Sequence, residues 1–194
     1  MKKRFIITIT AFLFLLGGCS AEPKPDRAVT EFSRIREALT AEASAFDVTA
    51  SVSADYGERV FDFRLRYVGS PGGGEIEILA PESLAGVRAT VAGNEATLKF
   101  DGAAIDTGAL ADGLSPAGIV PRLIVEWQAG FAESLRIARD GLDREELIMR
   151  SALTAETRHE TRFALSTRAP VRTEVTEGER VILTVVYEAF SITA

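Results

Sequence analysis

The 194-residue chain has one cysteine, one histidine and one tryptophan. A single cysteine leaves no internal disulfide framework. A single histidine, His159, argues against the usual zinc sites, which need several nitrogen or sulfur ligands. It also gives a Ser-His-Asp hydrolase one imidazole to use, and the sequence holds no Gly-x-Ser-x-Gly elbow. Positive charge is short as well, with 22 Lys+Arg against 28 Asp+Glu. That balance argues against nucleic acid as a partner and against electrostatic docking on anionic lipid, because both need a basic surface. Beyond Leu16 no apolar run approaches the about 20 residues that cross a membrane. There is no internal repeat and no low-complexity tract.

What the chain does have begins at its N-terminus. Lys2, Lys3 and Arg4 precede an almost uncharged run of twelve residues, Phe5 to Leu16, and then Gly17, Gly18 and Cys19. The cations stay on the cytoplasmic side. The run is too short to span a bilayer, so residues 1–18 read as an export signal. Leu16-Gly17-Gly18-Cys19 resembles the lipobox of bacterial lipoproteins, which implies cleavage before Cys19 and diacylation of its thiol. Two acyl chains anchor a protein durably where one would be marginal. The protein is therefore expected outside the cytoplasm, on the outer face of the cell membrane, with that membrane as its partner through Cys19. Loss of residues 1–18 leaves 19 Lys+Arg against 28 Asp+Glu, a formal charge of −9.

Residues 19–26 carry two prolines and no large apolar side chain, which suits a short extended spacer. Residues 27–194 are the length of one domain. Asp26 is placed to cap a helix. From Arg27 to Ser44 the apolar positions Ala28, Phe32, Ile35, Leu39 and Ala43 recur at steps of three and four, predicting one amphipathic helix. The period then becomes two. Phe46 to Ala54 and Arg59 to Val68 alternate around Tyr56-Gly57-Glu58 and predict a hairpin with one wet face. Short strands are expected at 75–79, 87–91, 96–100, 103–106, 134–138, 145–151, 160–166 and 170–176. A last strand, 181–192, is apolar on both faces and should be central. A second helix, starting at Ser115 or Pro121 and ending at Ala129, is expected between them, with Gly130 at its C-cap. This pattern predicts a mainly β (α+β) fold, a curved antiparallel sheet or open barrel of about ten to eleven strands.

Candidate chemistry is sparse. His159 lies among Arg158, Glu160 and other charges and reads as a solvated strand-edge residue. Asp101, Asp106 and Asp112 lack the spacing of an EF-hand calcium loop and suit turns better. Pro71-Gly72-Gly73-Gly74 lies between strands, with no P-loop lysine. No cofactor, metal site or catalytic constellation is expected, hence no enzyme. Val120, Leu123, Ile124, Trp127 and Phe131 form one apolar helical face. That face either packs on the sheet as core or closes an apolar cavity as a lid.

The layout resembles the LolA/LolB-like lipoprotein carriers, and most of all their lipoprotein relatives in single-membrane bacteria. Phe61 to Tyr67, Ile76 to Glu82, Leu98 to Gly102 and Arg172 to Phe190 carry the resemblance, which extends over residues 27–192. It implies a half-open barrel wrapped on the N-terminal helix, with a mid-chain lid over an apolar cavity. The residues it would bring to an apolar ligand are Phe61, Phe63, Leu65, Ile76, Ile78 and Phe100 from the strands. Leu123, Ile124, Trp127 and Phe131 would join them from the lid. The implied role is non-enzymatic, sheltering an acyl chain, a lipid or a partner lipoprotein. The alternative is a structural or regulatory envelope or spore module that binds a protein partner, its cavity filled by its own side chains.

Overall fold

The computed structural model describes residues 26–41, 45–55, 57–70, 73–92, 95–100, 103–108 and 118–193. Of Ala92 and residues 95–100 and 103–108 it describes the backbone alone. Residues 1–18, Cys19, the spacer to Pro25, Pro71-Gly72, Asp101, Asp112 and the side chains of Phe100 and Asp106 lie outside the described residues.

Helix α1, Arg27–Thr40, opens on Asp26, whose carboxylate accepts the Ala28 N–H at 2.9 Å. Its buried face is Ala28, Phe32, Ile35 and Leu39, as the spacing predicts. The helix stops four residues earlier than that spacing suggests. The Thr40 hydroxyl donates back to the carbonyl of Arg36 at 2.8 Å, and Ala41 is already extended. A hydroxyl that competes for helical carbonyls weakens the next turn.

The strands are β1 (Ala45–Asp55), β2 (Val60–Ser70), β3 (Gly73–Ala80), β4 (Arg88–Ala92), β5 (Glu95–Phe100) and β6 (Ala103–Gly108), with a 3₁₀ turn at Glu82–Leu84. Helix α2 (Ile119–Ala129) follows, then β7 (Ala132–Arg139), β8 (Glu145–Ala152), β9 (Thr157–Ala164), β10 (Pro170–Glu177) and β11 (Arg180–Thr193). They form one open antiparallel sheet in the order β6-β5-β4-β3-β2-β1-β11-β10-β9-β8-β7. Nine of these strands have described side chains. The predicted hairpin is present at β1–β2, β10 and β11 form a second, and β11 lies centrally between β1 and β10.

Both helices lie on one face of the sheet, and the alternation of each strand decides what meets them. In β1 all even positions from Phe46 to Ala54 are buried, and their odd neighbours are polar. In β2 the inward set includes Leu65 and Tyr67, and in β3 it is Ile76 and Ile78. The Tyr67 ring sits against Gly69 and Gly74, where any Cβ would overlap it. The opposite face is ionic. Glu160 meets Arg136, Arg150 and Arg162 at 3.3–3.5 Å. Arg66 pairs with Asp47, and Arg64 pairs with Glu188 at 2.7 Å. A face of this kind belongs in water, not against acyl chains.

Candidate functional site: the helix-covered face of the sheet

One register row crosses the inward face from edge to centre. Ala132 faces Ser151, Ser151 faces His159, and His159 faces Val175. Val175 then faces Leu183, Leu183 faces Ala54, and Ala54 faces Phe61. The row lies near the β1–β2, β8–β9 and β10–β11 turns. It ends in the stacked pair Phe61 and Phe63, 6.4 Å between centroids. Phe61 keeps 41% of its surface in solvent, whereas Leu65, Ile76 and Ile78 further along the same face are buried.

Helix α2 covers part of this inward face. Ile119, Val120, Leu123, Ile124 and Trp127 are all buried against the sheet. Pro121 sits in the first turn, where a missing N–H costs nothing. Phe131 does not share this face, contrary to the sequence expectation. It is 83% exposed, because the backbone turns extended at Gly130 and the helical period ends there. Gly130 is the C-cap, as expected, its N–H donating to the Glu126 carbonyl at 2.8 Å, but not in the left-handed conformation. Its φ is −67°, and what its lack of a side chain permits is closeness, since a Cβ would stand 2.5 Å from the carbonyl oxygen of Glu126.

Trp127 is the centre of an aromatic cage. Phe163, Tyr187 and Phe190 meet it edge to face at 5.3, 5.7 and 6.2 Å. Its indole N–H donates to the Thr161 hydroxyl at 3.2 Å. That hydroxyl also meets Thr173 at 2.9 Å and the Nδ1 of His159 at 3.1 Å, and Thr173 meets the Tyr187 hydroxyl at 3.1 Å. The result is a buried polar chain from Tyr187 through two threonines to His159. Burial pushes the Tyr187 phenol well above its usual range. His159 is thus no solvated edge residue. It is 1% exposed, and burial lowers its pKa from 6.5 to about 4, which keeps the ring neutral. Among the described residues its Nε2 has no hydrogen-bond partner. Residues 158, 160 and 162 carry the charges and point outward, and 157, 159, 161 and 163 point inward. The alternation was the signal for this placement. It was hidden because three of the four inward residues are polar.

The helices hold each other. Arg36 of α1 donates to the carbonyls of Trp127 (3.1 Å) and Gly130 (2.6 Å) at the C-terminus of α2. Gln128 of α2 donates to the carbonyl of Leu39, near the C-terminus of α1, at 2.7 Å. Both satisfy carbonyls left free where a helix ends. Arg122 adds a bond to the Leu153 carbonyl at 3.2 Å.

A separate cleft of about 670 Å³ opens beside the start of α1, between Arg27, Glu31, Glu145 and Arg168. Its charges are matched, Arg27 with Glu145 at 2.6 Å and Arg168 with Glu31 at 3.9 Å. Such a lining suits water more than an acyl chain.

No protein-family model and no curated protein matches the chain. Among solved structures, a conserved protein from Thermus thermophilus is similar, at TM-score 0.50 and 15% identity over 86% of this chain and 88% of that one. A LolA superfamily protein from Nitrosomonas europaea is similar at TM-score 0.44 and 10% identity, covering 86% and 94%. LprF from Mycobacterium bovis is similar at TM-score 0.48 and 12% identity, covering 84% and 92%. At 15% identity the likeness to the Thermus protein is one of fold alone.

Proposed function

We propose that this is a lipoprotein anchored through Cys19, non-enzymatic, that shelters an apolar ligand inside a half-open barrel. Residues 27–194 act as one carrier domain, and the ligand is an acyl chain, a lipid or the lipid part of another lipoprotein. One observation carries the reading. The apolar inward face does not end beneath the helices but reaches solvent at Phe61 and Phe63, where a chain could enter along Leu65, Ile76 and Ile78. Helix α2 is the movable cover, and its ties to α1 are the bonds that opening has to exchange for water.

A second reading is a regulatory or structural envelope module that binds a protein partner. The complete burial of Trp127, with its indole N–H bonded, favours it, because the space under α2 is then filled by the chain itself. Titrating the mature domain with a polyene fatty acid, read by energy transfer from Trp127, separates the two. Saturable transfer that Phe61→Asp abolishes supports the carrier. No transfer to a folded wild-type domain leaves the partner-binding module.

A further inference from the structure

The turn between β7 and β8 is built to hold an apolar side chain outward. Leu142 is 74% exposed at its tip. The turn beneath it is rigid. The Asp140 carboxylate accepts the N–H groups of Leu142 (2.9 Å) and Arg144 (2.8 Å) and the Arg144 Nε at 2.7 Å. Arg139 pairs with Asp143 at 2.9 Å, and Asp143 takes φ +61°. This turn stands at the point where the chain enters the domain. Glu145, three residues after Leu142, holds Arg27 with both oxygens, at 3.0 and 2.6 Å.

We infer that the Leu142 turn is the membrane-facing tip of the tethered domain and inserts Leu142 into the bilayer interface. The inference rests on the reading that Cys19 is acylated. Six residues separate Cys19 from Asp26, seven Cα steps, so the tether reaches at most about 25 Å. A domain of this size is about 40 Å across. The tether is therefore shorter than the domain and keeps the Arg27 end near the lipid. Val60, 59% exposed at the β1–β2 turn, lies at the other end of the strands. Arg27, Arg139 and Arg144 are offset by Asp140, Asp143 and Glu145, so the tip is neutral and the contact is apolar. One leucine does not hold a free protein on a membrane. It orients one that is already held, because the tether makes the encounter intramolecular. This orientation turns the Phe61 end of the inward face away from the bilayer.

The test uses the full acylated protein in phosphatidylcholine vesicles, with the Cys19 thiol consumed by its lipid. Leu142→Cys and, as control, Val60→Cys are each labelled with an environment-sensitive fluorophore. At position 142 the emission should shift to the blue and be quenched by lipids brominated on their acyl chains, equally in low and high salt. At position 60 neither should occur. Solvent-like emission at 142 in protein that floats with the vesicles overturns the proposal, as does equal quenching at both sites. Failure to float overturns the anchoring reading itself, and this proposal with it.

Discussion

The guanidinium of Arg36 holds the carbonyl of Trp127 at 3.1 Å, so a residue of α1 fixes the residue at the centre of the aromatic cage. Hydrogen bonds to a charged group contribute about 1.5–3 kcal/mol, and two of them end here. Arg36→Ala should destabilise the domain by about 2 kcal/mol, measured by urea unfolding. If α2 is a cover, the same variant should take up a fatty-acid probe faster than the wild type.

His159 makes stability depend on pH. Its folded pKa of about 4 lies below the unfolded 6.5, so the unfolded chain binds the proton more readily between those values. Stability should fall as pH drops from 6.5 to 4, by about 3 kcal/mol in all at 1.36 kcal/mol per unit. The carboxylates held low by arginines, Asp47, Glu145 and Glu188, lose their contribution only at lower pH, below their ordinary 3.8–4.5. Unfolding curves across pH 4–7 should therefore be flatter for His159→Gln than for wild type.

Thr161 is the junction of the polar chain, meeting Trp127, His159 and Thr173. Thr161→Val keeps the shape and removes the hydroxyl, leaving a buried indole N–H without a partner. The expected cost is about 2–3 kcal/mol in thermal unfolding, with a blue shift of Trp127 emission.

Ile124 and Phe131 should behave oppositely, although their spacing gives them one helical face. Ile124→Asp buries a lone charge and should cost about 3–5 kcal/mol. Phe131→Ser changes an exposed side chain and should stay within about 0.5 kcal/mol. Paired melting curves check both.

The strands were legible where one face is apolar and the other polar. Phe46 to Ala54 and Phe61 to Tyr67 announce β1, β2 and their register. The inward side of β9 was not legible, because Thr157 pairs with Thr154 in the preceding turn, His159 with Thr161, and Thr161 with Thr173 on the next strand. Only folding brings Thr173 and Tyr187 to them. The end of α1 was missed for a local reason, the back-bonding of Thr40. Phe131 was misplaced because periodicity cannot see the chain turn at Gly130. The Arg36–Gln128 exchange between helices joins residues about ninety positions apart and leaves no mark in either segment.

The carrier reading is tested most directly by mass spectrometry of lipids extracted from the mature protein purified out of its own membrane. Acyl chains on Cys19, if the proposed anchor is present, would be covalent and stay with the protein, so lipid released from delipidated, monodisperse protein comes from a bound site. An apolar ligand should appear in near one-to-one ratio with the domain and be lost in Phe61→Asp. A folded, monodisperse wild-type protein that releases no lipid would contradict the carrier role.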